Sequence, residues 1–338
     1  VKIKRSLLSE MLTYKRPHGS RSERDFIGRF IDTVPGMQAD NFGNRYLRLG
    51  YQPSTMISCH TDTVHSDGGR QNIAYDSRLA EYRLVETKPK PKSARYGARF
   101  SGRTNGHWHK DCLGSDDATG IFVALNMIAA RIPALYVFHR AEECGGRGSE
   151  YIAMHTPELV KGIDRCIAFD RRGRTDIITH QMMGRSASNT FALALADALG
   201  MHHAPCPLGT FTDSANYADL IPECTNVSVG YSLEHTSRES QNWDYLEELV
   251  DSVCTLDFSQ LPAVRPLWDQ AAYVTVKRSN VARYGHTVTT YSDEPLATVR
   301  NTRAYLDRYI ADSYGPWDSD NDYCSLRSQY EYMVTRDE

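Results

Sequence analysis

The chain has 338 residues, with 39 Lys or Arg against 42 Asp or Glu and a formal net charge of −3. A balance this close to neutral argues against a nucleic-acid or anionic-membrane partner, and 41% hydrophobic with 24% charged residues suits a globular chain with a sizeable core. The N-terminus lacks an apolar run of signal-peptide length, no stretch reaches the ~20 apolar residues of a membrane span, and the cysteines form no Cys-x-x-Cys pair, so reduced thiols and a cytoplasmic location are expected.

In chain order, residues 6–12 and 22–33 read as two helical pieces, the second with Phe26, Ile27, Phe30 and Ile31 at helical spacing. Asn41-Phe42-Gly43-Asn44 signals a turn, and residues 45–49 alternate like a strand. Residues 54–59 read as a short buried strand that delivers His60 at its C-terminal end. The stretch 67–109 is polar, basic and rich in turn formers, and reads as one or two hairpins projecting from the body.

Asp116-Asp117-Ala118-Thr119-Gly120 opens an apolar helix through Ala130, and its Asp and Thr side chains suit the free N–H groups of a helix start. Residues 134–138 form the next apolar run, leading to Glu142-Glu143. The glycines that follow read as a close turn into a helix capped by Ser149. They lack the Gly-Lys-Ser/Thr ending of a phosphate loop. Residues 166–169 are a further strand, ending at Asp170.

Residues 188–199 and 214–220 read as helices, residues 224–230 as a strand leading to His235, and residues 239–254 as the closing helix. This alternation predicts an α/β sheet covered on both faces, with most of the acidic and imidazole candidates just past a strand. The catalytic part is expected to span 1–258, with 67–109 as an insertion. Residues 259–338 are expected to form an extension that packs on the body or trails from it, with a helix over 295–310.

His60, Asp62, Asp116, Glu142, Glu143, Asp170 and His235 supply two imidazoles, carboxylates for ligation and a spare Glu to serve as a base. That inventory is what two zinc ions bridged by one carboxylate need in order to hydrolyse an amide. Asp62, two residues after His60, is placed to orient its imidazole. Of the adjacent Glu142 and Glu143, one can bind an ion while the other stays free as the base. His107 and His109 would share a face of a strand but are not needed for this site, and His202-His203 reads as surface.

The segments resemble the superfamily of co-catalytic zinc exopeptidases that includes leucyl aminopeptidases, peptidase T and the glutamate carboxypeptidases. Gly114-Ser115-Asp116-Asp117 is similar to the family's Gly-Ala-Asp-Asp segment, Glu142-Glu143 with Gly148-Ser149 to its Glu-Glu and Gly-Ser, Phe169-Asp170 to its next carboxylate, and Gly230-Tyr231 through Glu234-His235-Thr236 to its Gly-Tyr…His-Thr.

The resemblance implies Asp116 as the bridge, His60 and Asp170 on one ion, Glu143 and His235 on the other, Glu142 as the catalytic base, and Asp62 behind His60. It also implies a three-layer mixed sheet with helices on both faces, of the phosphorylase/hydrolase-like kind, in a single catalytic domain. The interval between Asp170 and His235 is too short for the dimerisation insert of the carboxypeptidase-like members, so the single-domain aminopeptidase branch is the nearer match.

The implied cofactors are two Zn2+, with Co2+ or Mn2+ as substitutes, and the implied substrate is a peptide or small amide. An N-acyl amino acid deacylase and an inactive binding protein are the rival readings, and oligomers are allowed. Arg171 could meet a substrate carboxylate or pair with a neighbouring acid. Asp213, in Thr212-Asp213-Ser214, lies in a segment resembling one near the family's substrate cleft, although helix capping explains it equally well.

Overall fold

The computed structural model describes residues 4–85, 111–181 and 184–267. All of them lie in the unit Val1–Lys277. His107, His109, much of the expected 67–109 insertion, the helix over 295–310 and most of the C-terminal extension lie outside the described residues.

The centre is an eight-stranded mixed sheet. Its strands in chain order are β1 (Gln38–Ala39), β2 (Arg45–Leu49), β3 (Thr55–His60), β4 (Ala134–His139), β5 (Arg165–Arg171), β6 (Asp176–Ile178), β7 (Ala204–Cys206) and β8 (Glu223–Ser228). They are ordered β7-β6-β8-β5-β3-β4-β2-β1. The middle is parallel: β3 pairs with β4 and β5, and β5 with β8. The flanks turn antiparallel, β2 on β4 and β6 on β8.

The helices are α1 (Arg5–Met11), α2 (Arg21–Phe26), α3 (Ser115–Ala129), α4 (Arg147–His155), α5 (Asn189–Leu199) and α6 (Trp243–Val253). Side chains of a strand point alternately to its two faces, so a strand buried on both sides feeds two cores. On β3, Met56 joins the core under α4 with Leu135, Val137 and Ile152, while the next residue, Ile57, joins the larger core with Phe122, Tyr136, Phe169 and Leu246. The fold is therefore α/β with helices on both faces of a mixed sheet. No helix among the described residues is long and apolar enough to cross a membrane.

Four expectations change in detail. The described hairpin, Ile73–Asp76 with Glu81–Leu84, does not project: it pairs with Ser240–Asn242 in a four-stranded antiparallel sheet, and Tyr82 is buried in the core. Residues 240–242 are consequently extended, and α6 begins only at Trp243, where the Asn242 side chain caps it by accepting from Tyr245 N–H. Ser149 lies inside α4 and bonds Asp213 instead of capping the helix, whose N-cap is Gly146 at φ 66°. His203 is buried, with its Nε2 2.7 Å from the Tyr245 hydroxyl.

Candidate metal centre

The site is assembled at the C-terminal ends of the parallel strands, where strand-to-helix turns open a crevice. His60 is the last residue of β3 and is 1% exposed. Its Nδ1 sits 3.2 Å from the Asp62 carbonyl and 3.6 Å from Asp62 Oδ1. This leaves Nε2 facing Asp116 Oδ1 at 2.8 Å and Asp170 Oδ1 at 3.5 Å. The backbone carbonyl of Asp62 is thus the nearer partner of the ring. Its carboxylate instead accepts the Glu142 N–H at 3.1 Å and ties the two turns together.

Asp116 stands at the mouth of α3 in a non-helical conformation (φ −75°, ψ 100°), and the Asp116–Asp117 peptide is cis. Its two carboxylate oxygens diverge: Oδ1 faces His60, and Oδ2 faces His235 Nε2 at 3.1 Å. Asp117 turns the other way. It accepts N–H bonds from Gly120 and from His60, so it caps the first helical turn and fixes the end of β3. Glu143 Oε1 lies 3.0 Å from His235 Nε2. His235 itself is held at φ 63° in a bent loop.

Asp170 is gripped from several sides. Its N–H donates to Asn226 Oδ1 and its carbonyl accepts from Asn226 Nδ2, both at 2.9 Å. Thr212 donates to Oδ2 at 2.8 Å, and the Tyr231 hydroxyl lies 3.2 Å from Oδ1.

The electrostatics follow from burying this many ionisable groups together. Burial opposes charge on both imidazoles, but the facing carboxylates outweigh it: His60 is raised well above the usual imidazole range, and His235 is raised to about 11. Burial likewise disfavours ionised Asp116, yet its bonds to His235 and His60 hold it well below the usual carboxylate range. Asp170 is pushed up to about 7 by burial and by Asp116. Glu142 is raised well above its ordinary value, first by burial.

The donor set fits borderline divalent cations. It consists of imidazole nitrogens and carboxylate oxygens, and the neighbouring thiol of Cys59 is turned into the core. Ligand atoms of His60, Asp116 and Asp170 lie within 4.8 Å of one another, as do those of Asp116, Glu143 and His235. A further group joins His60, Glu142 and Glu143. Asp116 is common to the first two groups.

The adjoining pocket, about 110 Å3, is lined by Glu142, Arg171, Arg172, Phe211, Tyr231 and Glu234 among others. Arg171 reaches it, but its Nε donates to Asp176 at 3.0 Å, the pairing with a neighbouring acid. Asp213 does not face the pocket. It is 1% exposed, accepts from Ser149 at 2.6 Å and sits 3.2 Å from His139 Nδ1. The structure thus brings Asp213 against Ser149 and His139, away from the residues that line the pocket. Asn226, Arg16 and Glu239 support the candidate ligands through hydrogen bonds and were not singled out in the sequence; Tyr231, quoted there with Gly230, has its hydroxyl on Asp170.

No protein-family model matches the chain, and no curated protein does. Solved structures do. An aminopeptidase PepT from Bacillus cereus is similar over 74% of this chain and 95% of its own, with a TM-score of 0.55 and 12% identity. A tripeptidase from Staphylococcus aureus covers 75% of this chain and 98% of its own, with a TM-score of 0.55 and 13% identity. A dodecameric PhTET1 covers 74% and 98%, at 0.50 and 17%. These likenesses show the fold: the mixed sheet with helices on both faces is shared with the PepT aminopeptidase, the tripeptidase and PhTET1. Between Asp170 and His235 the described residues add β6, β7 and β8 to this sheet and form no separate domain.

Proposed function

We propose that the chain is a metal-dependent exopeptidase, an aminopeptidase that hydrolyses the first peptide bond of a short peptide. The observation that carries the reading is the divergence of the two Asp116 oxygens toward His60 and His235, which come from opposite ends of the catalytic segment. His60, Asp116 and Asp170 would hold one divalent ion, and Asp116, Glu143 and His235 a second, with zinc the first choice and cobalt or manganese substitutes. When bound, such a pair supplies Lewis acidity that polarises the scissile carbonyl and makes water acidic enough to deprotonate near neutral pH.

Glu142 is the proton carrier. It lines the pocket, and its backbone is anchored to Asp62. A carboxyl raised by burial takes a proton from the attacking water and returns it to the leaving amine more readily than an ordinary glutamate does. Asn226 holds the Asp170 backbone, and Thr212 and Tyr231 each donate to one of its carboxylate oxygens, which fixes the orientation of the carboxylate and leaves lone pairs for an ion.

A panel of aminoacyl-p-nitroanilides, N-acyl amino acids and dipeptides, assayed with zinc, cobalt or manganese, tests the reading. Turnover of substrates with a free amino terminus is expected. Turnover confined to N-acyl amino acids would replace it with a deacylase, and a chain that binds no divalent metal would leave only the binding-protein reading.

A further inference from the structure

We propose that Glu239 is a positioning residue: its buried carboxylate holds the backbone of Asp116 in register with the His235 loop and so sets the spacing of the two metal positions. The inference rests on the reading of Asp116 and His235 as ligands.

A helix start leaves several backbone N–H groups without intrahelical partners. At α3 the N-cap position is Gly114, which has no side chain to offer, and the Asp116 carboxylate is turned outward to the histidines. The acceptor comes from far along the chain. Glu239 takes the Gly114 N–H at 2.9 Å on one oxygen and the Asp116 N–H at 3.2 Å on the other, and is 1% exposed.

Glu239 lies four residues beyond His235, and its own N–H donates to the Thr236 carbonyl, closing the loop that carries the imidazole. Glu239 therefore holds the Gly114 and Asp116 backbone through its side chain and the Thr236 carbonyl, next to His235, through its own N–H, while the Asp116 and His235 side chains meet at 3.1 Å. From the opposite side, the buried Arg16 guanidinium donates to the carbonyls of Gly114 and Thr61, each at 3.0 Å, and ties the same loop to the residue after His60. The Asp116 loop is clamped between its two histidine neighbours.

A glutamine there would offer a single amide oxygen, so one of the two N–H groups would face its NH2 instead of an acceptor. A buried carboxylate next to Asp116 adds repulsion, which is costly at low dielectric unless cations occupy the adjacent positions. Its charge thus suits a centre that is loaded in the working protein.

The test uses the full chain, stripped by chelation and titrated with zinc, as wild type, Glu239→Gln and Thr119→Val. Thr119 donates to Gln241 at 2.8 Å across the same seam without touching the Asp116 backbone. Glu239→Gln is expected to melt cooperatively while zinc affinity falls roughly 10–100-fold, the usual scale for a residue that supports a ligand. Thr119→Val should keep wild-type affinity.

Should the glutamine variant not fold, Glu239→Asp keeps the charge but draws its oxygens away from Gly114 and should weaken zinc in the same direction. Unchanged affinity in Glu239→Gln or Glu239→Asp overturns the proposal, and so does an equal loss in Thr119→Val, which would show that any loosening of the seam suffices. A wild-type chain that takes up no zinc overturns the metal reading itself, a result distinct from the other two.

Discussion

Asp116 and the half-buried Glu142 are both carboxyl groups beside His60, and their surroundings give them opposite characters. Asp116 meets two histidines and is held ionised; Glu142 has its acidity set first by desolvation and is pushed toward the protonated form. In the proposed site the first would stay charged between cations and the second would exchange a proton. Replacing Asp116 by Asn removes the anion shared by both groups of ligands, so the purified variant should carry much less metal while its far-UV circular dichroism stays native. Retention of two ions at full occupancy would defeat the bridging role. Glu142→Gln should leave metal content at the wild-type level and lower kcat by roughly 10²–10⁴-fold, the usual contribution of a general acid–base group. A variant with wild-type kcat would take the proton-carrying role away from Glu142.

The elements matter through how closely they approach one another. Gly120 sits in the first regular turn of α3, and a Cβ there would overlap the Phe169 carbonyl of β5 and the Asp117 carboxylate. The helix lies this close to the strand that carries Asp170, so Gly120→Ala should cost about 1–3 kcal/mol in chemical denaturation, typical of overpacking. Metal affinity should fall as well, because β5 and the start of α3 each carry a ligand; a variant as stable as wild type would show that the contact can relax. The ligand candidates were legible in the sequence because together their imidazoles and carboxylates make up the ligand inventory of a two-metal site and resemble the segments of the zinc exopeptidases. Their supports were not. Asn226 grips Asp170 across 56 residues and Glu239 reaches Asp116 across 123, and neither spacing leaves a local pattern. Arg16 lay in a basic stretch that read as a break between helices, yet it is fully buried between the loops after β3 and before α3. Residues 239–242 carried helical spacing, but pairing with Glu81–Leu84 drew 240–242 into a sheet, a tertiary choice that local propensity does not encode.

For the whole molecule, the cluster couples metal, protons and stability. Without metal, His235 at about 11 binds a proton in the folded state that the unfolded chain, near 6.5, has released above neutrality. Its contribution is fully present below pH 6.5 and is lost progressively as pH rises toward 11. Asp170, at about 7 against an ordinary 3.8, acts in the same direction: ionising it in the folded state destabilises the metal-free protein as pH climbs to 7. The buried His65 and His203 and the half-buried His180, lowered to about 4 chiefly by desolvation, work oppositely, but only between about 4 and 6.5, since above that they are neutral in both states. Between pH 7 and 8.5 the metal-free chain should therefore melt at progressively lower temperature. Metal binding needs the same imidazoles deprotonated, so it strengthens with pH and stabilises the folded state through mass action. The Tm difference between zinc-loaded and chelated protein is thus expected to widen steadily from pH 7 to 8.5. Differential scanning fluorimetry at constant ionic strength measures it directly. A gap that stays constant or narrows would mean that protons and metal do not compete for these side chains, and the centre would not be where the folded state holds its ions.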